Sequence, residues 1–244
     1  MKNLKNRFLI LMLLSILALG SISCSGLFSG DDAVAPQIST IAQQYNNAVV
    51  DSMLKSDIYD KLTAIYSTNE NLVWNADRSA IAVLSVMKPG REGTYSPVDK
   101  EITVLWKSFI TVLPELKNKV KSAPYANLNL RVEQVLGLPD TGYNYCVELW
   151  VKPADLFRPS PDPEIDDTVA ELTYRTGTSQ DHINWLNQHI YESYYSISKY
   201  PFTRLGYTYD WGGTNKYGLS EFVIKQGAAI KVKAVAANFI EYFK

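Results

Sequence analysis

Cysteine, histidine and surplus positive charge are what this chain has least of. Its 244 residues carry two cysteines, two histidines, and 24 basic against 25 acidic side chains. So even a balance lacks the basic field that non-specific nucleic-acid binding needs, which excludes nucleic acid as a partner. The two histidines, His182 and His189, have no carboxylate or cysteine between them at a ligand spacing, so no metal is expected there. No cofactor-binding fingerprint is present either, and none is expected to be bound. The chain has no G-x-S-x-G elbow: Ser220 in Gly218-Leu219-Ser220-Glu221 lacks the second glycine, which removes the usual mark of a serine hydrolase. Its longest apolar stretch, Phe8 to Gly20, is thirteen residues. That falls short of the roughly 20 needed to cross a bilayer.

That apolar stretch is placed for export. Lys2, Lys5 and Arg7 precede it, and the small residues Ser21 and Ser23 follow just before Cys24. This is the order of a secretory signal, here residues 1–23, removed on processing. Without its three positive charges the balance becomes 21 basic against 25 acidic, or −4. The run Leu19-Gly20-Ser21-Ile22-Ser23-Cys24 resembles the lipobox of bacterial lipoproteins, with Ser21 where leucine is usual. The resemblance implies that Cys24 becomes the mature N-terminus, carries several acyl chains, palmitate among them, and makes the membrane a partner. Ser25 rather than aspartate after the cysteine resembles lipoproteins of the outer membrane, periplasmic or surface-facing. A lipidated Cys24 leaves Cys146 alone, within an apolar strand, as an inert buried thiol. Residues 24–36, rich in Gly, Ser and Asp, form the lipidated cysteine and a flexible tether.

Residues 37–244 are long enough for a single domain of class α+β, with helices mainly in the N-terminal half and an antiparallel sheet mainly in the C-terminal half. The three- and four-residue apolar spacing from Gln37 to about Ile65 predicts an amphipathic helix capped by Ser39 or Thr40. Ile81 to Met87 predicts a buried strand, and Leu128 to Leu136 a short helix stopped at Gly137. For Glu101 to Leu113 the spacing of Ile102, Leu105, Trp106, Phe109, Ile110 and Leu113 favours a helix over a strand. Tyr143 to Val151 alternates as a strand, and Thr178 or Ser179 caps a helix from Gln180 to Tyr195. Tyr200 to Trp211 reads as an aromatic strand. Leu219 to Ala236 reads as two strands forming a hairpin about Gly227.

Candidate chemistry gathers on and after the central strand. Pro153, Pro159, Pro161 and Pro163 stiffen a loop carrying Asp155, Arg158, Asp162, Glu164, Asp166 and Asp167. Its oxygens suit a hard cation, but no calcium-loop spacing is present, so no metal is assigned. An exported, aromatic-rich chain also suits glycan chemistry, with two carboxylates working beside Trp150, Trp185 or Trp211. Asp155-Leu156-Phe157-Arg158 and Ser220-Glu221-Phe222-Val223-Ile224-Lys225-Gln226-Gly227 resemble ADP-ribosyltransferase and NAD-glycohydrolase domains. That resemblance implies a phosphate-binding Arg158, a Glu221 stabilising the ribosyl cation, and Tyr207 or Tyr209 beside the nicotinamide. The segments ELWV, DLFRPSPDPE and LGYTYDWG resemble bacterial proteins of no characterised activity. The reading adopted is a lipid-anchored envelope protein, a binding or structural module whose protein or small-molecule ligand is unknown. Its weak site candidates are Arg158 and Glu221 for catalysis, and Tyr207, Tyr209 and Trp211 for ligand binding. In a module of that kind Arg158 and Glu221 are expected to lie apart, or Arg158 to sit in a surface ion pair with Asp155, Asp162 or Glu164. The NAD-cleaving enzyme and the two-carboxylate glycan hydrolase are the alternatives.

Replacing Cys24 by alanine is expected to leave the chain unprocessed or to release it from membranes. Intact-mass analysis of the native protein should show a mature chain beginning at an acylated Cys24; an unmodified Cys24 refutes lipidation.

Overall fold

The computed structural model describes residues 39–121 and 127–244. The expected signal segment 1–23, Cys24 and the tether 24–36 lie outside the described residues. Ser39–Lys244 forms one unit of class α+β. Among the described residues, three of the five α-helices end before residue 136, and five of the eight strands follow residue 144. Among the described residues no helix is long and apolar enough to cross a membrane.

The strands are β1 (Ile81–Met87), β2 (Glu101–Thr103), β3 (Ser108–Val112), β4 (Tyr145–Val151), β5 (Leu156–Phe157), β6 (Tyr207–Tyr209), β7 (Tyr217–Ile224) and β8 (Ala229–Ala236). All pairings are antiparallel, in the order β2-β8-β4-β1-β3-β7-β5, with β6 on β7. β7 and β8 are consecutive, yet three strands stand between them in the ladder. In a flat sheet that is about 19 Å, four spacings of roughly 4.8 Å. The link is a tight turn, closed by Ala228 N–H donating to Lys225 O at 3.2 Å, so its ends lie within about 7 Å. The sheet must therefore curl until its distant members meet.

The closure works through two bent strands. β2 and β3 behave as one strand bent at Val104–Lys107, and β7 and β8 as another bent at Lys225–Ala228. Pairing continues through the corner, where Val104 N–H donates to Ala228 O at 2.9 Å and Gly227 N–H to Val104 O at 2.8 Å. This corrects two expectations. Glu101 to Leu113 is not a helix: Ile102, Val104, Ile110 and Val112 all face the inner cluster in period two, and Leu105 and Trp106, which completed the apparent helical spacing, are exposed at the bend. Leu219 to Ala236 is two strands but no hairpin, since β7 pairs with β3 and β8 with β4.

Alternation on the curled sheet fills its inside. Ile81, Val83, Ile110, Val112, Val147, Leu149, Phe222, Ile224, Ile230 and Val232 are buried in one cluster, each such side chain contributing about 1.5–3 kcal/mol. The outer face is covered twice. α2 (Glu115–Val120), α3 (Leu128–Val135) and α5 (Phe239–Tyr242) pack on Ala82, Leu84, Cys146 and Ala236. Cys146 is the buried free thiol expected of it, its pKa raised by burial. α1 (Ile41–Leu54) and α4 (Gln180–Tyr195) share the second cluster, in which Val49, Leu186 and Phe202 meet Phe109.

Thr40 and Gln43 form a capping box on α1, and Ser179 caps α4. α1 stops at Leu54 rather than running to Ile65. Arg204 Nη2 donates to the carbonyls of Met53 and Lys55 at 3.0 and 2.9 Å, and beyond them the chain pairs with the proline loop through Leu62 N–H to Thr168 O and Ile65 N–H to Ile165 O. The aromatic segment Tyr200 to Trp211 is strand only at Tyr207–Tyr209. Before it the chain turns a corner in which Gly206 adopts φ +72°, where an added Cβ would lie 3.1 Å from the Arg158 stem.

Candidate functional site

Between the two helical layers the outer face of the sheet stays uncovered, and a cavity of about 270 Å³ opens there. Its floor is sheet: Leu84 and Val86 of β1, Phe109 and Thr111 of β3, Glu221 of β7. Leu136, Gly137 and Leu138 at the end of α3 form one wall, and His189, Tyr200 and Phe202 another, with Tyr143 and Tyr209 also lining it. Thr111 and Glu221 are directly opposed in the β3–β7 ladder. Their side chains therefore start within about 5.5 Å of each other.

Both are short of partners. The Thr111 hydroxyl is buried without a hydrogen bond among the described residues. Glu221 is half-buried, its open surface facing the cavity. Burial alone pushes its carboxyl pKa up to about 8, with neither a cation nor a hydrogen bond opposing the shift. Burial pulls His189 the other way, to about 4. Its imidazole is stacked on Trp185, 5.6 Å between ring centroids, and lies 4.7 Å from both Phe109 and Phe202. At neutral pH the cavity thus holds an uncharged imidazole and a largely protonated carboxyl in an aromatic setting.

Arg158 is elsewhere and is fully buried. Nε donates to Glu164 O at 2.8 Å, and Nη2 to the carbonyl of Asp167 and, at 3.4 Å, to that of Thr63. The Asp167 carboxylate lies 3.6 Å away, and the guanidinium carbon sits 5.2 Å from the Phe222 ring centroid. Burial lowers its pKa while Asp167 and Asp162 oppose that shift. The expected surface ion pair with Asp155, Asp162 or Glu164 is replaced by a buried staple made mainly to carbonyls. A stiff loop broken by prolines leaves carbonyls facing inward, and a guanidinium offers five donors to satisfy them.

The acidic cluster has its own cation. Carboxylate oxygens of Asp162, Glu164 and Asp167 lie within 4.8 Å of one another. Arg175 reaches all three, with Nε 3.2 Å from Asp162, Nη1 on Glu164 and Nη2 3.8 Å from Asp167. The other candidates divide. Tyr209 lines the cavity and its hydroxyl donates to Asp51. Tyr207 is buried against Tyr59 and Tyr217, its hydroxyl without a partner among the described residues. Trp211 is buried against Tyr45 and donates to Leu138 O at 3.0 Å. Asp210 is held by Arg131 at 2.6 and 2.7 Å. Glu221 and Tyr209 thus share one cavity, and Arg158, Tyr207 and Trp211 do not line it.

Sequence reading missed Thr111, Phe109 and His189 as parts of one site. A period-two reading of Ser108–Val112 would have set Phe109 and Thr111 on the face opposite Ile110 and Val112; the helical assignment hid it. No protein-family profile matches this chain, and neither curated proteins nor solved structures give a match.

Two outcomes follow from these surroundings. Arg158→Met should cost about 3–5 kcal/mol in urea unfolding, because it strips the buried loop carbonyls and Asp167 of their cation; it should also open residues 159–171 to proteases. A loss within about 0.5 kcal/mol would show that the staple is dispensable. A carboxyl with its pKa raised in the folded state stabilises fully below its unfolded value of 4.5 and loses that contribution as pH rises through about 8. Glu221→Gln should therefore gain stability over the native chain between about pH 5 and pH 8.5, by up to roughly 3 kcal/mol. Thermal melts across that window check it, and a pH-independent difference would refute the assignment.

Proposed function

We propose that this is a lipid-anchored protein of the cell envelope whose folded domain is a binding module, with the cavity between its helical layers as the ligand site. One observation carries the binding reading: two adjacent polar side chains, Thr111 and Glu221, face an aromatic cavity with no hydrogen-bond partner among the described residues. Buried polar groups are ordinarily paired, because leaving one unpaired costs about 1–3 kcal/mol. A ligand that supplies the missing hydrogen bonds recovers that cost. The envelope location rests on the order of charges, apolar run and small residues before Cys24.

The enzymatic readings draw less support. NAD cleavage requires Arg158 beside Glu221 in one cleft, and Arg158 is fully buried outside the cavity, with Nε and Nη2 on Thr63, Glu164 and Asp167. Glycan hydrolysis by paired carboxylates requires a second acid, and Glu221 is the one carboxyl among the lining residues.

The full-length chain in lipid nanodiscs, titrated calorimetrically with 2-phenylethanol, should bind with a Kd on the order of 1 mM, reasonable for so small a ligand. Leu136→Trp, which fills the cavity, should abolish that heat while the thermal melt persists. Equal heats in the two proteins, or none in either, would refute the cavity as the site.

A further inference from the structure

The charge character of the cavity narrows its ligand. None of its lining residues is a lysine or arginine, and its single carboxyl is Glu221. His189 is withdrawn from water against Trp185, Phe109 and Phe202 and stays neutral. The wall at Leu136–Leu138 is the C-terminal end of α3, the negative end of a helix dipole. Among the lining residues an anion would meet no positive group and one carboxyl; outside them, Lys88 Nζ lies 5.2 Å from the Tyr143 ring centroid and is taken up by that ring. Thr111 Oγ1 has no hydrogen-bond partner among the described residues, the Glu221 carboxyl lines the cavity beside it and accepts with both oxygens once ionised, and aromatic faces attract cations.

We propose that the cavity recognises a primary ammonium ion, its head donating to Glu221 and Thr111 and its apolar body lying along Phe109, Phe202 and Tyr143. The volume of about 270 Å³ equals that of roughly nine waters at ~30 Å³ each, which sets the ligand at about nine non-hydrogen atoms. This inference rests on the cavity being the ligand site. It also couples binding to proton release. In the empty cavity Glu221 holds its proton up to about pH 8, and an ammonium ion requires the carboxylate.

The other groups facing Glu221 leave that window clear. His189 of α4 titrates near 4, and the raised pKa values of Tyr143 and Tyr209 lie above it. Tyr200 and Thr208 complete the polar lining. Behind them, Asp51 of α1 accepts from Tyr209, and Arg131 of α3 is neutralised by Asp210.

The experiment compares three probes of one shape on the full-length chain in nanodiscs: 2-phenylethylammonium, 2-phenylethanol and 3-phenylpropionate. At pH 8 the ammonium should bind at least about tenfold more tightly than the alcohol, and the carboxylate least. Its Kd should fall by nearly tenfold per unit between about pH 6 and pH 8 and then level off, whereas that of the alcohol stays flat. In Glu221→Gln the ammonium should drop to within about threefold of the alcohol, whose retained affinity certifies the fold. Thr111→Val should weaken the ammonium several-fold without altering its pH profile. Equal affinity of ammonium and alcohol in the native chain, or preference for the carboxylate, overturns the cation assignment and leaves the cavity as a binding site. Absence of binding by all three probes overturns both.

Discussion

A tight turn between two strands that the ladder holds far apart is the constraint on which this structure depends. Because Lys225–Ala228 allows so little separation, β7 and β8 meet only if the strands between them roll the sheet round. Rolling gives a single sheet an inside and an outside. The inside fills with aliphatic and aromatic side chains. The outside must be covered by something else, and two groups of helices divide that task. Their separation leaves the cavity, so the site is a by-product of how the sheet closes rather than of any one motif.

The proline loop is held to this sheet by two arginines with different duties. Arg158 lies inside, where it satisfies carbonyls that prolines and tight turns have left without ladder partners. Arg175 lies outside and neutralises carboxylates that would otherwise repel one another. A buried cation of this kind is costly to desolvate, and it persists because removing it would expose several backbone acceptors to an apolar interior at once. Arginine rather than lysine suits the place, since its planar fork reaches carbonyls of three separate residues.

Glu221 is the opposite case. Its neighbour in sequence, Phe222, is buried inside the sheet, and alternation therefore turns the carboxyl outward to the cavity. Nothing there compensates it except the proton it retains. Such a group lowers stability at neutral pH, and a hydrophobic residue at that position would pack without cost. An uncompensated polar pair inside an otherwise apolar wall is the kind of local inconsistency that marks a working site.

By itself the sequence determined the local elements whose signals are short-range. Thr40 and Ser179 cap helices, the apolar run Ile81–Met87 forms a strand, Gly137 ends α3 with φ +67°, and Tyr145–Val151 alternates between two buried faces. It also determined the class, α+β, and named Glu221 and Tyr209, both of which face the cavity. Tertiary structure decided what local patterns leave undetermined. Glu101 to Leu113 became two strands because Leu105 and Trp106, which completed its helical spacing, are exposed at the bend while Ile102, Val104, Ile110 and Val112 keep one inward face, and a sequence pattern does not tell buried apolar residues from exposed ones. Strand partners were decided by closure of the sheet, so two neighbouring strands never became a hairpin. The fate of Arg158 was decided by burial. An arginine among carboxylates reads from sequence as a surface ion pair, and only the folded chain shows that carbonyls distant along the chain converge on it, burying it outside the cavity that Glu221 lines.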